Sequence, residues 1–376
     1  MRKLLILACS IVLVDTVFYS ALVPLIPYFT SELGLSKLEV GLLNGSFGAG
    51  VLAGSLPGGY LVARFGPKAA ALFGFALFSL ASLAFAFAGT EWALIGARFG
   101  EGFASAFSWI AAFTWLVAAV PDGRRGQAIG TLISAAVVGA LLGPIVGSAA
   151  SIVGISATFV GVAVLGALIG TWVLFTPAPP PEPYRPFFSM LLGVFRPRLA
   201  LGMWFILLSP LLFGAPLVLA PLALDASGWG ALAIGGVFLA AAAFEATAQP
   251  FIGRWSDRAG YRVPLAVGLA GSISLLFLLA WGPGAAAVSA FVVLAAVFFN
   301  GSVTLGTALF SKEAEGFGVD QAIVFAATNV AWATGSALGA PLAGSLADAG
   351  GDGLAYLALA AVCGLTLVAL RRVKLR

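Results

Sequence analysis

The sequence contains no histidine. That removes the commonest general base and the usual metal ligand, and leaves carboxylates as the natural proton carriers. Cysteine is nearly absent as well. Cys9 and Cys363 each lie inside an apolar run, which argues against a disulfide framework or a metal cluster. Charge is scarce: 9% of residues are charged, against about a quarter in a soluble domain. No nucleophile–base pair and no soluble nucleotide-binding domain stand out. No enzyme activity, cofactor, metal or nucleic-acid partner is therefore expected.

What fills the chain instead is apolar. Hydrophobic residues make up 61% of it, in runs of about 20 residues or more without polar–apolar alternation, which favours transmembrane helices over barrel strands. In lipid the backbone must satisfy its own hydrogen bonds, as helices do.

Two short patterns recur at one spacing. Gly59, Arg64, Gly66 and Lys68 are echoed by Gly253, Arg258, Gly260 and Arg262, an offset of 194. Gly139, Gly143, Pro144 and Gly147 are echoed by Gly335, Gly339, Pro341 and Gly344 at offsets of 196 to 197. Two echoes at one spacing indicate a duplicated chain of two related halves.

Twelve spans are expected, at about 4–29, 38–63, 68–89, 91–119, 125–150, 154–175, 199–224, 229–254, 262–282, 285–311, 319–347 and 352–370. The start imitates a signal peptide, but its apolar run continues to Phe29, too long for a cleaved segment. With the amino terminus cytoplasmic, all 19 cations except Lys37 and Arg98 fall in inner loops, as the positive-inside rule requires. Both termini are then cytoplasmic. The expected organisation is an amino-terminal six-helix bundle at 1–175, a Pro-rich cytoplasmic linker at 176–198 and a carboxy-terminal six-helix bundle at 199–376. The proline run favours an extended, semi-rigid spacer. Phe187–Phe195 either lies along the inner membrane face or begins the seventh span.

Ionisable groups inside a span cost roughly 2.5–3.5 kcal/mol each on insertion scales, so each needs a reason. Four qualify: Asp15, Arg98, Glu101 and Glu245. Helical rise places Asp15 about 17 Å from the inner end of the first span, and Arg98 and Glu101 about 10 and 15 Å from the outer end of the fourth, at a shared depth. Arg98 and Glu101 share a helix face, continued by Ser105. A self-neutralising pair that only orients helices is one reading; against it, a buried ion pair is rarely a net stabiliser. The other reading is a proton- or cation-binding site centred on Asp15, tuned by burial and by the nearby arginine. Glu245, with Gln249 one turn further in, is either a second such site or a polar link between helices. Tyr19, Phe18, Ser105, Trp109, Asn300, Asn329 and Trp332 fall near the same depth and are candidate cavity walls, with packing as the ordinary alternative for each. Gly139, Gly143 and Gly147 form a small-residue stripe that permits close helix contact, with Pro144 inviting a kink. Gly335, Gly339 and Pro341 repeat the device.

These residues together resemble the major facilitator superfamily over essentially the whole chain. The turn at Gly59, Leu61, Arg64, Gly66 and Lys68 is similar to that superfamily's signature loop Gly-x-Leu-Ala-Asp-Arg-x-Gly-Arg-Lys, with Ala63 where the family has Asp and Pro67 where it often has Arg. The second copy keeps the acid, Asp257, beside Arg258. Arg98-Phe-Gly-Glu-Gly102 resembles the fourth-span motif Arg-x-x-Gln-Gly, whose arginine is linked to proton coupling. Gly139 to Gly147 resembles the fifth-span antiporter motif, and Asp15 to Pro27 the first-span motif of twelve-span drug:proton antiporters. The resemblance implies an all-α polytopic membrane protein of two pseudo-symmetric six-helix bundles, in the inner membrane and monomeric. It would exchange protons for a small lipophilic cation, rocking its halves about a site near the midplane. Gly59, Arg64, Gly66, Lys68, Gly253, Asp257 and Arg258 would then control conformational exchange. A symporter or facilitator of a sugar or metabolite is the alternative on the same fold, and a non-transporting receptor the alternative from another class.

Overall fold

The computed structural model describes residues 2–121, 124–178, 197–282, 284–316 and 321–372; these are helical throughout, with no strand among them. The first crossing is α1 (Arg2–Ala21), a 3-10 turn (Val23–Leu25) and α2 (Ile26–Leu33). It is interrupted, where an unbroken run was expected, because Pro24 and Pro27 supply no N–H to continue the helical ladder. Next comes α3 (Lys37–Ala86), 50 residues long. At 1.5 Å per residue that is about 75 Å, more than twice a bilayer core, so it crosses twice. The crossings part at Gly66, whose backbone (φ 84°, ψ 167°) only glycine adopts readily, and Pro67 follows it. The first basic turn is thus the break between two spans.

The rest of the chain is α4 (Glu91–Ala119), α5 (Arg125–Val153), α6 (Ile155–Phe175), α7 (Pro197–Ala226), α8 (Ala231–Ala259), α9 (Arg262–Leu279), α10 (Ala285–Gly316), α11 (Gln321–Gly350) and α12 (Asp352–Arg372). Ten segments among the described residues are long and apolar enough to cross a membrane. One of them is the double-crossing α3; the 30-residue α11 is not among the ten. The architecture is an all-α polytopic membrane protein. Large apolar side chains such as Phe87, Phe175 and Trp281 are more than 70% exposed, which suits lipid and not water. Most of the linker expected at 176–198, with Phe187–Phe195, lies outside the described residues.

The chain forms two compact units, one of residues 1–25 and 46–187 and one of residues 26–45 and 188–376. In the first, α5 lies along α1: an added Cβ at Gly139 would come within 2.6 Å of the Leu13 carbonyl, at Gly143 it would overlap Ser20 Oγ, and at Gly147 the Ala21 carbonyl. The glycine stripe therefore seats the helix that carries Asp15. The second unit repeats the device, with Gly335 and Gly339 of α11 set against Leu207, Pro210 and Leu211 of α7. Residues 26–45 belong to this unit because the first turns of α3 are clasped by α11 and α12. Ser36 and Glu39 form a reciprocal capping box at the start of α3. Asp348 accepts the next two backbone N–H groups, of Lys37 (3.2 Å) and Leu38 (2.8 Å), and the Lys37 ammonium pairs with Asp352. Gly41, Gly45 and Gly344 remove the side chains that would prevent this approach.

Candidate functional site

The first unit brings Asp15 of α1 against one face of α4. Ser105 Oγ and Trp109 Nε1 both donate to Asp15 Oδ2, at 2.8 and 2.7 Å. Asp15 is 5% exposed, and its other oxygen, Oδ1, has no hydrogen-bond partner. A carboxylate offers about four acceptor sites, so this one is half satisfied. Among the described residues Asp15 forms no ion pair.

Arg98, seven residues before Ser105 on the same helix, forms the ion pair with Glu101 that was one of the two readings of the sequence, and adds two backbone partners on α1. Its Nη1 donates to Glu101 Oε2 (3.0 Å) and to the Phe18 carbonyl (3.2 Å), and Nη2 donates to the Tyr19 carbonyl (2.6 Å). Those carbonyls belong to the last turn of α1, just before the break at Val23–Leu25. Arg98 is therefore a C-terminal cap supplied from another helix, where a cation also meets the negative end of the helix dipole. Its guanidinium lies 4.8 Å from the Phe47 ring and 5.7 Å from the Tyr19 ring. Glu101 is fully buried and also accepts from Ser82 Oγ (3.3 Å). Arg98 thus pairs with Glu101, and Asp15 is, among the described residues, the buried acid without an ion-pair partner. A buried carboxylate with one open oxygen has acceptor sites left for a proton or a cation.

Glu245 sits in the second unit. Asn300 of α10 and Gln249 of α8 hydrogen-bond to its carboxyl group. Ser209 Oγ of α7 donates to Asn300 Oδ1, and Thr304 Oγ1 of α10 donates to Gln249 Oε1. The amide oxygens accept from these hydroxyls, which leaves the amide N–H groups as the donors available to Glu245. The five side chains form one chain of bonds across three helices.

The other sequence candidates are more dispersed. Phe18 is buried with its ring 6.2 Å from Phe78, and the Tyr19 ring lies 4.8 Å from Phe47. Trp332 packs on a buried apolar cluster that includes Ile206, Phe310 and Ala331, and Asn329 is half-buried on α11. At the basic turns, Arg64 donates to the Tyr60 hydroxyl (2.7 Å) and lies over the rings of Tyr60 and Phe65. Lys68 is half-buried, and Asp257 and Arg258 are exposed. A Cβ at Gly59 or Gly253 would meet nothing within 4 Å, so neither glycine is held by packing here. Burial and the nearby Asp257 carboxylate push the Tyr261 phenol above its usual range, with Lys312 over its ring at 5.6 Å. Pro144 and Pro341 both lie within their helices, and Pro341 packs on Gly45. Among the described residues no group of three or more acids or cysteines comes together to hold a metal.

Sequence reasoning missed the roles of Ser82, Ser209 and Thr304, which carry no periodic signal. It also missed the clasp on α3, although Asp348 and Asp352, four apart at the end where Lys37 stands alone, were a usable clue.

A family model described as Major Facilitator Superfamily matches residues 8–333. The uncharacterized MFS-type transporter YcaD of Salmonella enteritidis is 25% identical over 379 residues, covering 99% of this chain and 96% of that protein. An uncharacterized MFS-type transporter of Yersinia pestis is 25% identical over 384 residues, with the same coverage of 99% and 96%. Among solved structures, a bacterial homolog of the human lysosomal transporter Spinster, inward-facing and occupied, matches with TM-score 0.78 at 16% identity, over 98% of this chain and 96% of that one. The nucleoside transporter NupG matches at 0.79 and 14%, over 98% and 99%. A D-xylose-proton symporter matches at 0.75 and 15%, over 98% and 97%. At these identities the structural likeness speaks for the fold alone.

Proposed function

The chain belongs to the Major Facilitator Superfamily, and from that premise we propose that it is a proton-coupled antiporter exporting a small lipophilic cation by alternating access. It works as a monomer in the inner membrane with both termini cytoplasmic, its halves at 1–175 and 199–376. The observation that carries the reading is Asp15: a buried carboxylate with two donors on one oxygen and none on the other. An uncompensated buried charge is too costly to leave alone, so a proton or a cation neutralises it. Proton and substrate then compete for one negative charge, which is what antiport requires. Arg98 and Glu101 hold the end of α1 in place beside that site. Glu245 is a second proton site, presented with two amide donors.

Flux in proteoliposomes under an imposed pH gradient tests this. Asp15→Asn should abolish uphill transport of an organic cation while leaving downhill exchange. If the variant still concentrates the cation as well as the parent, Asp15 does not carry the proton. Proton symport, the activity named for one fold neighbour, is the second reading. What favours it is the set of amides and hydroxyls around Glu245, which suits a hydroxylated substrate. Sugar or nucleoside uptake driven by the inward gradient, without organic-cation export, would select it.

A further inference from the structure

A second cavity-like feature of the first unit has no part in that mechanism. A laterally open groove of about 510 Å³ runs between α1, α5 and α6. Its walls are apolar, with Leu13, Leu165, Leu168 and Ile169 among them, and no acid or base lines it. We infer that this groove binds one acyl chain of an anionic phospholipid, whose headgroup is held by Arg2 and Arg124.

Length is the first argument. Along α1 the groove runs from Leu5 to Val14, about 14 Å at helical rise, or one leaflet of a hydrocarbon core about 30 Å thick. Its position is the second. Gly139 and Gly147 of α5 pack beside Leu13 and Ala21 of α1, and Thr131 beside Cys9, so the two helices run parallel with a register offset of 122 to 126. That register puts the start of α5 level with the start of α1, and the Cys9 thiol donates to the Thr131 carbonyl at 3.9 Å. Trp172, which also lines the groove, is one turn from the end of α6, at a depth where tryptophan marks the membrane interface.

Charge is the third argument, and it selects the lipid. Arg2 precedes the groove-lining Leu5 and Ile6 by one turn and so continues their face. Arg124, at the amino-terminal cap of α5, lies seven residues before the groove-lining Thr131, at the end of that helix level with Arg2. Both arginines are exposed. The slot is therefore apolar along one leaflet and cationic at that leaflet's surface, the combination an anionic glycerophospholipid presents in reverse.

Cys9 supplies the assay, because it lines the groove half-buried while Cys363 is fully buried. The full-length protein in nanodiscs of phosphatidylcholine, with or without phosphatidylglycerol, should be alkylated at Cys9 by N-ethylmaleimide. Phosphatidylglycerol should slow that reaction several-fold while Cys363 stays silent. Intact-protein mass spectrometry from micelles should show phosphatidylglycerol retained in preference to phosphatidylcholine. Arg2→Gln and Arg124→Gln should each weaken the preference about fivefold, the effect of one basic residue near an anionic surface. Equal protection by both lipids, or a preference unchanged in the double variant, overturns the proposal. So does protection of Cys9 by a transported organic cation and not by lipid, which would make the groove a substrate entrance.

Discussion

The placement of Arg98 makes a quantitative prediction about stability. Arg98→Met keeps the length of the side chain and removes its charge and its three charge-assisted bonds. Glu101, fully buried, then keeps only Ser82. Removing one partner of a buried ion pair costs about 3–5 kcal/mol. The carbonyls of Phe18 and Tyr19 lose their donors as well, at about 1–3 kcal/mol each when buried. The single variant should therefore lose at least about 5 kcal/mol, the sum of the lower ends of these ranges. Arg98→Met with Glu101→Gln leaves no unpaired charge, so only the carbonyl penalty should remain. The double variant is expected to be more stable than Arg98→Met by about 3 kcal/mol, the lower end of the ion-pair range and within the coupling double-mutant cycles detect between contacting residues. Equilibrium unfolding in mixed micelles, on all four members of the cycle, reads this directly. If the double variant is as unstable as Arg98→Met or worse, the pair is not what burial of Arg98 depends on. Arg98→Lys should fall between parent and Arg98→Met, because one ammonium cannot span a carboxylate and two carbonyls as the planar fork does.

At the start of α3, Asp348→Ala should lower thermal stability more than Lys37→Ala. Lys37 and Asp352 are 34% and 40% exposed, so that ion pair is worth about 0–1 kcal/mol, whereas Asp348 satisfies two backbone N–H groups, at about 1 kcal/mol for a helix cap. Equal melting shifts would show that the cap contributes nothing beyond the salt bridge. Gly143→Ala should destabilise by about 1–3 kcal/mol through overlap with Ser20 and the Val17 carbonyl, while Gly59→Ala should stay within about 0.5 kcal/mol in the same melt. A neutral Gly143→Ala would mean that α5 is free to move off α1.

The sequence alone determined that this chain lives in lipid, where its spans lie and which ionisable residues they carry. Those are local properties: a helix closes its own hydrogen bonds four residues apart, and insertion depends on the hydropathy of about 20 consecutive residues. The glycine stripes at Gly139 and Gly335, and the break at Gly66, were legible for the same reason, since each works through its own helix. The pairing of Arg98 with Glu101 was legible as an i, i+3 neighbour, but the other two partners of Arg98 were not, because they are backbone carbonyls on another helix, 79 and 80 residues away. Nor was the open oxygen of Asp15, which depends on Ser105 and Trp109 reaching only one side of the carboxylate. The clasp that draws residues 26–45 into the second unit joins Lys37 to Asp348 across 311 residues. In lipid every apolar face is equally content, so which faces meet is decided by close packing and by the few polar groups that find each other, and only the folded chain brings those together.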